Sequence, residues 1–158
     1  MTQNLFNTFI ILASRLNQDL NITPLLYGSL GLELITNSQL NPQDIDVLIP
    51  EEFIQERWND LFTLMTVLGY TLIDLREHEF LNDKIRVAFA KIEELNEFAG
   101  VDVELVKTLE HKGTEYKLLN LEQYHRVYKR SSIDGYRSIK KNNKDLEKIN
   151  LIESQLRD

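Results

Sequence analysis

Apolar residues recur at Leu5, Phe9, Leu12 and Leu16, at spacings of four, three and four, which predicts an amphipathic helix over residues 2–18. Asn21 and Pro24 close it, and Leu25 to Tyr27 read as a brief buried strand. Residues 30–36 form a short helical pattern, with Ser29 placed to serve as its N-cap. Asn37 to Gln43 is a polar loop, and Ile45 to Ile49 is a second strand. Pro50 opens a helix over 51–68 whose apolar side carries Phe53, Trp58, Leu61, Phe62, Met65 and Leu68, and Gly69 ends it. Beyond Gly69 the period shortens. Tyr70–Leu75 and Lys84–Glu94 read as extended segments joined by the polar stretch around Asn82-Asp83, a hairpin. Val101–Val106 alternates as a strand, with Asp102 and Glu104 opposite Val101, Val103 and Leu105, and Lys117–Leu119 is a last short strand. Residues 121–130 and 138–156 are helical, broken near Asp134-Gly135.

This order predicts an α/β (α+β) fold: a mixed β-sheet flanked by helices rather than a regular parallel alternation. No repeat, low-complexity tract or linker interrupts the 158 residues. They are expected to form a single domain, 1–158, with 121–158 a C-terminal helical segment packed on or beside the core.

Composition narrows the chemistry. Without cysteine there is no disulfide, thiolate metal site or Cys nucleophile. No segment approaches a membrane-spanning length and the N-terminus has no signal-like pattern, so a cytoplasmic protein without membrane contact is expected. A net charge of −7 argues against general nucleic-acid binding. Charge is nevertheless uneven, because residues 126–148 hold eight Lys or Arg against three acids. A solvated helix face and a wall turned toward phosphates are both compatible with that run.

The candidate chemistry lies in Asp44-Ile45-Asp46-Val47. Alternate residues of a strand share a face, so Asp44 and Asp46 stand side by side while Ile45, Val47 and Ile49 turn to a core. Paired carboxylates repel unless solvated or metal-bound, and such oxygen-rich pairs suit Mg²⁺ or Mn²⁺. Fifteen residues before Asp44, a strand ends at Gly28-Ser29 and a helix begins. Glycine permits a sharp turn and close approach of a phosphate, and Ser29 adds a hydroxyl beside the positive end of a helix.

Tyr27-Gly28-Ser29, then Asp44-Ile45-Asp46-Val47, then Asp102 or Glu104, resembles the motif of the nucleotidyltransferase superfamily, which shares the DNA polymerase β-like core. The layout is most similar to small single-domain, antibiotic-type members, and Lys144-Asp145-Leu146-Glu147-Lys148-Ile149 is similar to a segment near their ends. The resemblance implies metal-dependent transfer of a nucleoside monophosphate from an NTP to a hydroxyl of a small-molecule or protein acceptor. It implies Asp44 and Asp46 as ligands of Mg²⁺ or Mn²⁺, and Asp102, or Glu104 on the same face, as the third catalytic carboxylate, with Asp102 preferred as a metal ligand. Gly28 and Ser29 would seat the triphosphate, with Lys140 and Lys144 as further phosphate contacts. The chain departs from the pattern where many members carry Arg soon after Gly-Ser; here stand Leu30, Gly31 and Leu32. The alternatives are a toxin or antitoxin component of the same fold and a catalytically inactive nucleotide-binding domain; a homodimer or a small helical protein partner is compatible with the chain.

His78, His111 and His125 sit at no metal-ligand spacing, which argues against zinc, and no Ser-His-Asp signature or complete dinucleotide fingerprint is present.

Overall fold

The computed structural model describes residues 2–133 and 135–157, with side chains described for 4–132 and 146–157. The strands are β1 (Leu25–Tyr27), β2 (Asp44–Ile49), β3 (Thr71–Asp74), β4 (Glu79–Asn82), β5 (Ile85–Lys91), β6 (Lys107–His111) and β7 (Thr114–Leu118). They build one seven-stranded sheet in the order β3-β4-β5-β2-β1-β7-β6. β2 runs antiparallel to β1 and parallel to β5, and β1 runs parallel to β7. The expected mixed sheet is therefore present.

The helices are α1 (Thr2–Leu20), α2 (Gly28–Thr36), α3 (Trp58–Val67), α4 (Glu94–Ala99), α5 (Leu121–Ile133) and α6 (Gly135–Arg157). One face of the sheet is sealed by Phe9, Leu12 and Leu16 of α1 and by Leu61 and Met65 of α3, packed on Ile45, Val47, Ile49, Val87 and Phe89. The other face is covered by the later helices. Leu25 and Leu48 on that face meet Leu95 of α4, Tyr124 and Val127 of α5, and Ile149 and Ile152 of α6. The C-terminal helices thus pack on the core, on the sheet face that carries Leu25 and Leu48.

The structure differs from the sequence reading in several elements. Residues 51–68 are not one helix. Glu51–Phe53 is a 3₁₀ turn, and α3 starts only at Trp58 because Arg57 leaves helical dihedrals (φ −107°, ψ 25°). Its guanidinium lies 4.4 Å over the Phe53 ring and 2.9 Å from Asp60.

The hairpin after Gly69 is a three-stranded meander. His78 and Asp83 take left-handed φ values of 52° and 56°, turning the chain before and after β4. β6 and α4 were not foreseen.

Val101–Val106 is not a strand. The Asp102 side chain accepts the Glu104 N–H at 3.0 Å, and Val103–Leu105 curls into a 3₁₀ turn. Val101 is buried while Leu105 is 74% exposed, so the period-two pattern does not correspond to a sheet face.

Ser29 is not an N-cap either. Gly28 turns the chain one residue sooner, Tyr27 occupies the cap position without a side-chain capping bond to the helix, and Ser29 falls in the first turn of α2.

Candidate active site

The site is built on a register. β1 and β2 pair antiparallel with Leu25 opposite Leu48 and Tyr27 opposite Asp46. β1 ends at Tyr27, so Asp44 projects past it to the level where α2 begins. Gly28 makes that change of direction at φ +66°, in the left-handed region that favours glycine. The turn is pressed against Asp46. A Cβ on Gly28 would collide with the Asp46 Oδ2 and come within 3.1 Å of its Cγ. The N-terminus of α2 is thereby held beside a carboxylate pair on a strand.

Tyr124 of α5 supports the turn from below. Its hydroxyl donates to the Gly28 carbonyl at 3.2 Å, and its buried ring lies nearly parallel to Tyr27 and Tyr128, with centroids 6.5 and 6.0 Å away. Burial pushes the Tyr124 phenol well above its usual range, and Tyr128, Tyr27 and Asp46 add to the effect. The hydroxyl therefore stays a donor.

The loop leading to Asp44 is tied at several points. Glu33, buried on α2, accepts the Leu40 N–H at 2.7 Å. Gln155 of α6 donates to the Thr36 carbonyl at 2.8 Å.

Above this floor lies a cleft of about 850 Å³, walled by Tyr27, Gly28, Ser29, Asp46, Tyr128 and Lys148 at one end and by Arg76, Glu77, His78 and Glu79 at the other. The structure brings Gly28, Ser29 and Asp46 into it. Asp44 shares the face of Asp46 but is more exposed and stands outside the lining. Asp102 and Glu104 also lie outside the lining; the Asp102 carboxylate is engaged by the turn it caps. Lys140 and Lys144 lie on α6, and their side chains fall outside the described ones. Two cleft residues were missed from sequence. Lys148 sits 5.3 Å over the Tyr128 ring, and its signal was its place one turn after Lys144 and beside buried Ile149. Glu79 gave no local signal.

Among the described residues no group of three or more His, Cys, Asp or Glu is placed to hold a metal. Asp44 and Asp46 still fit a hard divalent cation of the kind that takes one or two carboxylates and completes its shell with water and phosphate oxygens.

No family model matches the chain. It is 44% identical over 153 residues to the uncharacterized protein YnaI of Bacillus subtilis (strain 168), covering 97% of this chain and 98% of that one. The chain belongs to the YnaI family. Among solved structures, this YnaI-family protein is similar to an antigenic nucleotidyltransferase-like protein from Paracoccidioides brasiliensis. That match has a TM-score of 0.65 at 15% identity, over 94% of this chain and 75% of the other. It is similar to ANT(2″)-Ia, solved with adenylyl-2″-tobramycin, at a TM-score of 0.59 and 14% identity over 98% and 90% of the two chains. It is also similar to the lincosamide antibiotic adenylyltransferase LnuA, lincomycin-bound, at 0.56 and 15% over 93% and 94%. The YnaI-family chain therefore has a nucleotidyltransferase fold, as its Gly-Ser and Asp-Ile-Asp motifs implied.

Proposed function

We propose that this protein transfers a nucleoside monophosphate from an NTP to a hydroxyl of a small-molecule or protein acceptor, in a reaction that depends on Mg²⁺ or Mn²⁺. The observation that carries the reading is the contact between Gly28 and Asp46, which sets the left-handed turn that opens α2 against a carboxylate with no room for a Cβ. The N-terminal amides of α2 and the Ser29 hydroxyl receive the triphosphate. Lys148 stands on the cleft wall to offset phosphate charge, a role to which Lys140 and Lys144 are also assigned. Asp44 and Asp46 would hold the divalent ion, which when bound screens the triphosphate and takes up charge on the leaving pyrophosphate. The acceptor enters from the Arg76–Glu79 end. The adenylyltransferase likenesses support this reading through the fold.

The test is Mn²⁺-dependent binding of each NTP to the full chain, followed by equilibrium dialysis, against Asp46→Asn. Saturable, metal-dependent binding that Asp46→Asn weakens at least ~10-fold is expected, equivalent to ~1.4 kcal/mol. Binding that ignores both metal and Asp46 would overturn the reading. The absence of a three-carboxylate cluster among the described residues favours a second reading, a nucleotide-binding domain without turnover. Metal-dependent binding with no pyrophosphate release from any NTP would decide for it.

A further inference from the structure

The proposed reaction needs a group that removes the acceptor's proton, and neither Asp102 nor Glu104 reaches the cleft. The strand beside β2 on its acceptor side is β5. On the face shared with Asp44 and Asp46 it offers Arg86, Ala88 and Ala90, in register with Asp44, Asp46 and Leu48. None is a carboxylate. One strand further, Glu79 of β4 stands directly opposite Ala88. Asp46, Ala88 and Glu79 therefore form one row across three strands, with side chains on the same face, and all three line the cleft.

Resting on the transferase reading, we propose that Glu79 is the catalytic base, displaced by one strand from the neighbour of β2, with Ala88 as the gap that admits the acceptor hydroxyl. Two strand spacings put the Cα atoms of Asp46 and Glu79 about 10 Å apart. An attacking oxygen about 3 Å from phosphorus, with its base about 3 Å beyond, needs a separation of that order once both side chains lean in. The methyl of Ala88 leaves the space between them open. Arg86 on β5 donates to Glu79 Oε1 at 2.6 Å and fixes the carboxylate, leaving its second oxygen for the proton. In the step, the acceptor O–H proton passes to Glu79 as the oxygen forms its bond to the α-phosphorus. The bond from that phosphorus to the bridging oxygen breaks, and its electron pair leaves with pyrophosphate.

The experiment uses the full chain with Mn²⁺, [α-³²P]ATP, and water and glycerol as hydroxyl probes. Binding of Mn²⁺ with a non-hydrolysable ATP analogue is followed separately by electron paramagnetic resonance. Glu79→Gln is expected to slow AMP transfer at least ~100-fold, the lower end for loss of a general base, while binding the Mn²⁺–analogue complex within about twofold of wild type. Asp46→Asn loses that binding. Glu79→Asp, which keeps a carboxylate at that place in the row, is expected to retain at least ~10-fold more transfer than Glu79→Gln. Transfer by Glu79→Gln at the wild-type rate would overturn the assignment, as would loss of Mn²⁺–analogue binding equal to that of Asp46→Asn. Wild-type chain that binds the analogue but transfers AMP to neither probe also overturns it, while the nucleotide site stands. Wild-type chain that binds no analogue defeats the transferase reading itself and the base with it.

Discussion

Tyr124 reaches from α5 to the Gly28 carbonyl across 3.2 Å, so the turn between β1 and α2 is fastened to a helix near the other end of the chain. Its ring is fully buried, and its removal from water holds the phenol in the protonated form.

Tyr124→Phe keeps the ring and deletes the donor. A loss of about 1 kcal/mol is expected, a fall of roughly 3 °C in Tm for a chain of this size. The alkaline limb is a second readout. The folded phenol titrates above the unfolded one, so above about pH 10 the unfolded state releases a proton that the folded state keeps, and stability falls as pH rises. Tyr70 and Tyr116, raised by burial, push the same way. Denaturant titrations between pH 8 and 11 should therefore show a shallower decline in Tyr124→Phe than in wild type. An equal decline would show that Tyr124 does not contribute.

Gly28 and Gly31 separate binding from stability. Alanine at Gly28 meets both the left-handed backbone, costing about 1–2 kcal/mol, and the Asp46 carboxylate. It is expected to fold with reduced Tm and to bind Mn²⁺–NTP at least ~10-fold more weakly. Alanine at Gly31 would meet the Tyr124 hydroxyl and, at 2.8 Å, the Leu26 carbonyl, which is backbone and cannot yield. Overpacking of this kind costs about 1–3 kcal/mol and should appear in thermal denaturation first.

Glu33 anchors the loop before Asp44. One of its oxygens accepts the Leu40 N–H, and the other is buried with no hydrogen-bond partner among the described residues. Glu33→Ala is expected to lower stability by about 1–3 kcal/mol by stranding that N–H. Glu33→Gln, which keeps the acceptor, should fall between alanine and wild type. Hydrogen exchange at Leu40 reads the effect directly, and protection unchanged in Glu33→Ala would refute the anchor.

His125 and Glu153 lie 2.9 Å apart and join α5 to α6. The hydrogen bond to His125 holds the Glu153 carboxyl below its ordinary value. A depressed carboxyl adds stability above the unfolded pKa and loses it as pH falls through the folded one. The Tm gap between wild type and Glu153→Gln should close as pH is lowered from 6 to 3. A gap that persists at pH 3 would mean the pair contributes nothing through ionisation.

The Gly-Ser turn and the two aspartates were legible because each is local. The apolar alternation of Ile45, Val47 and Ile49 fixes which way Asp44 and Asp46 point, and glycine marks the turn. The 101–106 stretch misled because its alternation is genuine in sequence. Only the Asp102 side chain, by taking the Glu104 N–H, diverts it into a 3₁₀ turn. Glu79 could not be found from spacing at all. Its relation to Asp46 exists only after β4 pairs with β5 and β5 with β2, and no window along the chain contains that row.

The parallel pairing of β1 with β7 bears on how the molecule is made. Leu25 and Leu26 lie beside Lys117 and Leu118, and the Lys117 amide closes on the Pro24 carbonyl. A ribosome that has released only the first hundred residues has delivered both aspartates and the glycine, yet neither the strand that flanks β1 nor the tyrosine beneath its end. The cleft is thus among the last parts to take shape during synthesis, and a prematurely stopped chain would carry the motif without the pocket.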